Sequence, residues 1–319
     1  MRLKDLPSEE LFLQGSAACQ GCPGSMALRM AFKALGRNTL MVVIASCTSV
    51  LQSPFPASAL GLPVLNMAFA SGGAVASGIV AAVHRLKKAG VFTEEPTVLV
   101  WAGDGGTYDI GIQALSGAAE RNTDFIYVCY NNEAYSNTGT QRSGATPYAA
   151  WTTNTTTGKR EWRKDVPQIM VAHNVPYVAT ASLAYPLDFI GKMQKAKSIR
   201  GTKYIEMLAP CPPAWKFSSD ETVQVSRLAV QSGLWLLYEC EGGHTRYTAG
   251  TQRLIEGRSQ PKPVEDYLKM QGRFRHLFAP TRDDERLRQM QERVTGVVDS
   301  LKFTARMREH IMDLEIVPR

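Results

Sequence analysis

The sequence predicts an α/β protein built on a doubly wound, mostly parallel sheet, with a helical carboxy-terminal extension. Three observations carry that expectation. Short apolar runs of strand length recur through the first two-thirds of the chain, segments of helical character separate them, and the polar Gly- and Asn-rich stretches follow strands at their carboxyl ends. Composition agrees. With 319 residues, 44% hydrophobic and 20% charged, the chain can bury one large domain or two smaller ones.

Taken in order, the amino end "MRLKDLPSEELFLQG" is charged and lacks the basic, apolar, small-residue layout of an export signal, so a cytoplasmic protein is expected. "TLMVVIAS" (39–46) reads as the first strand. The longest apolar run, "NMAFASGGAVASGIVAAV", is rich in Gly, Ala and Ser, which suits a tightly packed buried helix over 74–89 better than a membrane span. Next come a strand "TVLVWAG" (97–103), a helix over 109–121, and the strands "DFIYVCY" (124–130), "YVATAS" (177–182) and "KYIEML" (203–208). From about residue 245 a basic connecting stretch with "SQPKPVEDYL" leads to a final amphipathic helix. There Leu287, Met290, Val294, Val298 and Leu301 recur at helical spacing, and Thr281 with Asp284 resembles a capping box. The expected division is residues 1–244, carrying the chemistry, and 245–319, packing on that domain or on a partner subunit.

Net charge is +7 (36 basic minus 29 acidic residues), without a Lys/Arg block or a nucleic-acid motif, so nucleic acid is not an expected partner. The balance serves solubility or steers an acidic partner or anionic substrate. A dinucleotide fingerprint would need glycine where Tyr108 stands, and no G-x-x-x-x-G-K-[ST] occurs. None of His84, His173, His244, His276 and His310 has a paired ligand spacing, and no Ser/His/Asp arrangement is recognisable.

The chemistry concentrates in two segments. In "TVLVWAGDGGTYDI" a buried strand ends by placing Asp104 between Gly103 and Gly105–Gly106. Twenty-five residues lie between Gly105 and Asn131, room for one helix and one strand, so "NNEAYSNTG" should meet Asp104 on the same edge of an adjacent strand. An Asp carboxylate, an Asn side-chain oxygen and a free carbonyl are hard ligands suited to Mg²⁺ or Ca²⁺. Glycines let the backbone approach phosphates, and a helix starting near Asp109 presents amide ends. The lone carboxylate therefore points to a metal that bridges it to a diphosphate. Separately, Cys19 and Cys22 in "CQGC" with Cys47 and Cys211 can make a four-thiolate site for either zinc or an iron–sulfur cluster, whereas Cys129 and Cys240 read as packing residues.

Gly103-Asp104-Gly105 with Asn131-Asn132 resembles the thiamine diphosphate motif, and the fold expected is of that cofactor-binding type. The text "GDGGTYDIGIQALSGAAERNTDFIYVCYNNEAYSNTGTQRSGATPYAAWTT" resembles the β subunit of 2-oxoacid:ferredoxin oxidoreductases, of which pyruvate:ferredoxin oxidoreductase is the best-known member. The likeness runs over roughly residues 15–280, including "APCPPAW" and "PVEDYLKMQGRFRHL". It implies Mg²⁺ ligands at Asp104, Asn132 and the Ala134 carbonyl, and diphosphate contacts at Gly105 and Gly106. It places Asn137 beside the thiazolium and substrate as a catalytic hydrogen-bond donor, extended by Thr138 and Gln141. It implies a [4Fe–4S] cluster on Cys19, Cys22, Cys47 and Cys211, although Pro23 and Ser46 stand where relatives often have glycine. The implied reaction is thiamine-dependent oxidative decarboxylation of a small 2-oxo acid, with electrons passing singly to the cluster and on to ferredoxin. Pyruvate with coenzyme A is the default; oxalate, 2-oxoisovalerate and arylglyoxylates share the motifs. Arg29, Arg142 and the loop 143–148 are candidates for holding a carboxylate. The remaining clusters and much of the substrate pocket are implied to lie on α, γ or δ subunits or fusions of them. Two alternatives remain at this point: a non-redox thiamine diphosphate decarboxylase or carboligase, and a zinc-stabilised assembly subunit.

Overall fold

The computed structural model describes residues 5–54, 56–91 and 93–315. Among the described residues, eight strands form one sheet: β1 (Thr39–Ile44), β2 (Val64–Met67), β3 (Thr97–Gly103), β4 (Phe125–Asn131), β5 (Tyr177–Ser182), β6 (Thr202–Leu208), β7 (Tyr238–Glu241) and β8 (His244–Tyr247). Their order is β2-β1-β3-β4-β6-β5-β7-β8; the first six are parallel, and the β7–β8 hairpin is added antiparallel to β5. The sheet is thus mostly parallel, as expected.

Strand side chains alternate between two cores, which is why the runs look continuously apolar. Met41, Val43, Leu99, Trp101, Ile126 and Val128 face the helices Pro23–Leu35 and Pro186–Ser198. Val42, Ile44, Val98 and Val100 face the helices Gly72–Lys88, Ile112–Glu120 and Val166–Ala172. A third core gathers Trp215, Leu228, Trp235, Tyr267, Phe274 and the buried stripe Leu287, Met290, Val294 and Val298 of the last helix, Asp284–Glu315. The boundary expected at 244/245 falls in the β7–β8 hairpin.

Three local expectations are corrected. The Gly/Ala-rich segment Phe69–Lys88, long and apolar enough to cross a membrane by length and composition alone, is not buried all round. Its face with Gly72, Gly73, Ala76, Val80 and Val83 is buried, while Ala74, Gly78 and Ala81 are exposed. The small residues serve close packing on the buried side: a Cβ on Gly73 would lie 2.3 Å from the Ala114 carbonyl oxygen. The expected helix 109–121 is preceded by a wide π-type turn, Gly105–Asp109, and becomes regular only from Ile112. The last helix is capped by Asp283 rather than by a Thr281–Asp284 box; Asp283 Oδ1 accepts the Arg286 N–H at 3.0 Å, the usual N-cap geometry.

Candidate active site at the carboxyl edge of the sheet

Gly103 of β3 is paired with Tyr130 of β4, so Asp104 and Asn131–Asn132 leave the sheet side by side. Asp104 is fully buried. Ser143 Oγ donates to its Oδ2, and the Asn132 N–H donates to Oδ1 at 3.2 Å. Burial outweighs both and pushes the carboxyl up to about 8. No salt bridge among the described residues reaches it, although the nearby buried Glu133 is paired with Arg273 at 2.6 Å.

One terminal amide atom of Asn132 lies 3.1 Å from Asp104 Oδ1, 2.6 Å from the Ala134 carbonyl oxygen and 2.8 Å from Ser136 Oγ. With nitrogen at that position it donates to all three. With oxygen there, the oxygens of Asp104, Asn132 and Ala134 face one another with no hydrogen between them. Cis ligands of an octahedral Mg²⁺ at its usual bond length stand about 2.9 Å apart, so these separations suit such a cation. In the turn the Ala134 carbonyl meets the Asn132 amide, while its neighbours' carbonyls are taken up by other donors. The Asn131 carbonyl accepts from Ala209 N–H, that of Asn132 from Trp215 Nε1 at 2.7 Å, and that of Glu133 from Thr146 Oγ1 at 2.6 Å.

Local sequence explains the turn. Glu133 adopts a left-handed conformation, φ 60°, and its N–H is held by Asn131 Oδ1 at 2.9 Å. Its carboxylate anchors to Arg273, whose guanidinium lies 3.6 Å from the centre of the Trp215 ring. Tyr135 Oη reaches back to the Gly105 carbonyl at 3.1 Å and to Asp109 Oδ2 at 3.0 Å, joining the two segments. A Cβ on Gly105 would sit 2.3 Å from the Tyr135 ring, so glycine is required there by the ring as well as by any phosphate; one on Gly106 would meet Ile44 at 3.1 Å. Ser143, Trp215, Arg273 and the side chain of Glu133 escaped sequence reasoning. All lie within quoted motifs, but their pairings span 39, 83 and 140 residues.

Asn137 is exposed at the tip of this loop, and Thr138 Oγ1 bonds Gln141 Oε1 beside it. Arg29 is committed to Glu10 by two bonds of 2.8 and 2.9 Å, and Arg142 to Glu161 at 3.4 Å.

Cys19 and Cys22 sit in the turn before helix Pro23–Leu35, Cys47 follows β1, and Cys211 follows β6. All four are free thiols ringing one cavity of about 80 Å³, and Tyr130, Asn132 and Asn137 share its wall. Burial first, and the neighbouring thiols next, push Cys47 up to about 12; burial likewise raises Cys211 to about 11. Among the described residues no three of His, Cys, Asp or Glu converge on the position of a single metal ion. Four thiols spread around a cavity suit a cluster with a ligand at each corner better than one tetrahedral zinc. Cys129 and Cys240 are buried in the second core, as packing residues would be.

Residues 48–207 match the thiamine pyrophosphate enzyme family through its C-terminal TPP binding domain, which makes the chain a thiamine pyrophosphate enzyme by class. Over 277 residues it is 47% identical to ketoisovalerate oxidoreductase subunit VorB of Pyrococcus abyssi, covering 85% of this chain and 88% of that one. Over 303 residues it is 45% identical to pyruvate synthase subunit PorB of Methanothermobacter marburgensis, covering 93% and 99%. The chain belongs to the 2-oxoacid:ferredoxin oxidoreductase family, as a β subunit of the PorB/VorB kind. Its fold is similar to 2-oxoglutarate:ferredoxin oxidoreductase from Magnetococcus marinus, with TM-score 0.54, 20% identity, and coverage of 71% of this chain and 80% of that one.

Proposed function

We propose that this subunit holds thiamine diphosphate through Mg²⁺ and passes electrons from a 2-oxo acid to a [4Fe–4S] cluster of its own. The observation that carries the reading is the shared wall: Asn132 and Asn137 border the four-cysteine cavity while the Asn132 amide also lies between Asp104 and the Ala134 carbonyl. Two cofactors within one loop of each other suit short-range electron transfer.

In this reading Asp104 Oδ1, Asn132 Oδ1 and the Ala134 carbonyl hold the cation, and Gly103, Gly105 and Gly106 form the floor under the diphosphate. Cys19, Cys22, Cys47 and Cys211 bind the cluster as thiolates, which removes the cost of burying four uncompensated negative charges. When bound, thiamine diphosphate supplies the electron sink for decarboxylation, and the cluster accepts electrons one at a time. Asn137 hydrogen-bonds the oxygen on which negative charge develops, an electrostatic task for a fixed amide. Its exposure here fits a pocket completed by other subunits, which the names of the relatives imply. Ferredoxin is the proposed final acceptor. Pyruvate and 2-oxoisovalerate, each with coenzyme A, are the first substrates to test. A non-redox decarboxylase would use Asp104 and Asn132 alike but leave four neighbouring thiols without a task.

The test uses the native complex purified anaerobically: iron and sulfide content, then EPR before and after each 2-oxo acid, with and without coenzyme A. Iron and sulfide together with a substrate-dependent reduced-cluster or radical signal support the reading. A complex free of both that still releases CO₂ overturns it.

A further inference from the structure

Behind the metal-facing turn lies a second buried carboxylate that the proposed chemistry does not use. Glu206, on β6, is 1% exposed. Its Oε1 accepts from Asn131 Nδ2 at 2.7 Å and from Tyr108 Oη at 2.5 Å, and its Oε2 accepts from Tyr204 Oη at 3.0 Å. The two amide atoms of Asn131 have different partners, the nitrogen also lying 3.4 Å from Tyr108 Oη. The nitrogen goes to Glu206, and the oxygen accepts the Glu133 N–H at 2.9 Å.

These contacts have a directional consequence. A primary amide whose nitrogen is anchored to a carboxylate has its oxygen aimed, because flipping would set its oxygen against Glu206 and its nitrogen against the Glu133 N–H. The aimed oxygen holds a residue at φ 60°, a conformation disfavoured for a side chain as large as glutamate. Asn132 and Ala134, the two oxygen donors of the turn, lie immediately on either side of it. Were Glu133 to relax to negative φ, these two could not both keep their orientation toward Asp104.

We infer that Glu206 is a positioning residue for the cation site: through Asn131 it locks the left-handed turn at Glu133 that aims Asn132 and Ala134 at Asp104. The inference rests on the cation site proposed above. It goes beyond that site by giving the first asparagine of the pair a task distinct from the second: Asn131 never faces the cation but orients the residues that do. Tyr108 belongs to the same brace; it lies in the turn after Asp104 and shares Glu206 Oε1 with Asn131, tying both sides of the site to one carboxylate.

The experiment measures binding of Mn²⁺, in place of Mg²⁺, to the assembled complex with thiamine diphosphate by titrating the free-Mn²⁺ EPR signal. The variants are Glu206→Ala, Glu206→Gln, Asn131→Ala and Tyr204→Phe, with iron content and thermal melting as checks of folding. Glu206→Ala and Asn131→Ala are expected to weaken Mn²⁺ binding about tenfold to a hundredfold, the usual effect of removing groups that orient metal ligands. Glu206→Gln keeps an acceptor for Asn131 and is expected to recover most of the loss. Tyr204→Phe, which touches only the far oxygen, should bind as the wild type does. Should Glu206→Ala fail to fold, Asn131→Ala decides, since it leaves Glu206 both tyrosine hydroxyls. Wild-type affinity in a folded Asn131→Ala complex overturns the inference while leaving the cation site intact. A wild-type complex that binds no Mn²⁺ with thiamine diphosphate overturns the cation site itself.

Discussion

Gly105→Ala separates two reasons for a glycine at the centre of the motif. Gly105 does not lie at positive φ, so alanine has no backbone penalty there; the obstacle is the Tyr135 ring, 2.3 Å from the added methyl at Cε1 and 2.6 Å at Cδ1 and Cζ. Carbon atoms in contact prefer about 3.5–4.0 Å, so the ring must retreat by more than about 1 Å. It cannot retreat freely, because Tyr135 Oη is bonded to the Gly105 carbonyl and to Asp109. Overpacking of this kind costs about 1–3 kcal/mol. At roughly 2 °C per kcal/mol for a large domain, the melting temperature of the cofactor-stripped complex should fall by about 2–6 °C. The cycle is closed with Tyr135→Ala, which opens a cavity that the new methyl partly fills. The double variant should be less damaged than the sum of the two singles, by about 1–3 kcal/mol, as for residues in direct contact. Scanning calorimetry of the four complexes at one scan rate, with thiamine diphosphate titrations alongside, reads both effects. If Gly105→Ala leaves the stripped complex as stable as the wild type, the two changes add, and only cofactor binding suffers, then the glycine is there for the phosphate alone and the packing argument is wrong.

Cys47→Ser and Cys211→Ser should each remove most of the iron and sulfide while leaving thiamine content near normal, because the two thiols follow different strands and neither supplies an oxygen facing Asp104; metal analysis with thiochrome fluorescence checks this. Trp215→Phe strips the Asn132 carbonyl of its 2.7 Å donor in a buried site, a loss of about 1–3 kcal/mol, and should lower both the melting temperature and Mn²⁺ affinity. Burial, with Arg286 nearby, holds the His276 imidazole below its ordinary 6.5 in the folded chain. Above that pH the ring is neutral in both states and costs nothing; below it the unfolded chain takes up the proton first, so stability falls as pH drops. In urea denaturation of the complex at pH 7.5 and 5.5, His276→Gln should show a smaller loss between the two than the wild type.

How much of this was legible follows from where each pattern is written. β1, β3, β4, β5 and β6 announce themselves because helices cover both faces and most positions are apolar; Lys203 and Glu206 of β6 are buried exceptions, held by Asp124 and by Tyr108, Asn131 and Tyr204. β2 is a four-residue edge strand with Leu65 and Asn66 exposed, and it resembles a loop. β7 and β8, "YECE" and "HTRY", look polar because Glu239 is neutralised from elsewhere: Tyr177 Oη donates at 2.8 Å, with Lys195 at 3.2 Å and Arg246 alongside. Asp104 and Asn132 were legible because one helix and one strand separate them, a spacing that translates directly into adjacency. Ser143, Trp215 and Arg273 had no such regularity. Each meets its partner only because the chain folds a later loop over the strand ends, and no local period encodes that return.

The three buried carboxylates around this edge are treated in three ways, and the contrast bears most on what the site is for. Glu133 receives a guanidinium at 2.6 Å, a full charge partner. Glu206 receives two tyrosine hydroxyls and an amide, which satisfy its lone pairs without a direct ion pair. Asp104, the most deeply enclosed, receives one hydroxyl on Oδ2 and one backbone N–H on Oδ1, and the terminal amide of Asn132 stands between Oδ1 and the Ala134 carbonyl. A buried carboxylate is normally paired or neutralised, because isolated charge in a dry interior is costly. A protein that meets this requirement for Glu133 and softens it for Glu206, yet leaves Asp104 with neutral donors only beside the Asn132 amide and the Ala134 carbonyl, is arranged there as the proposed cation requires.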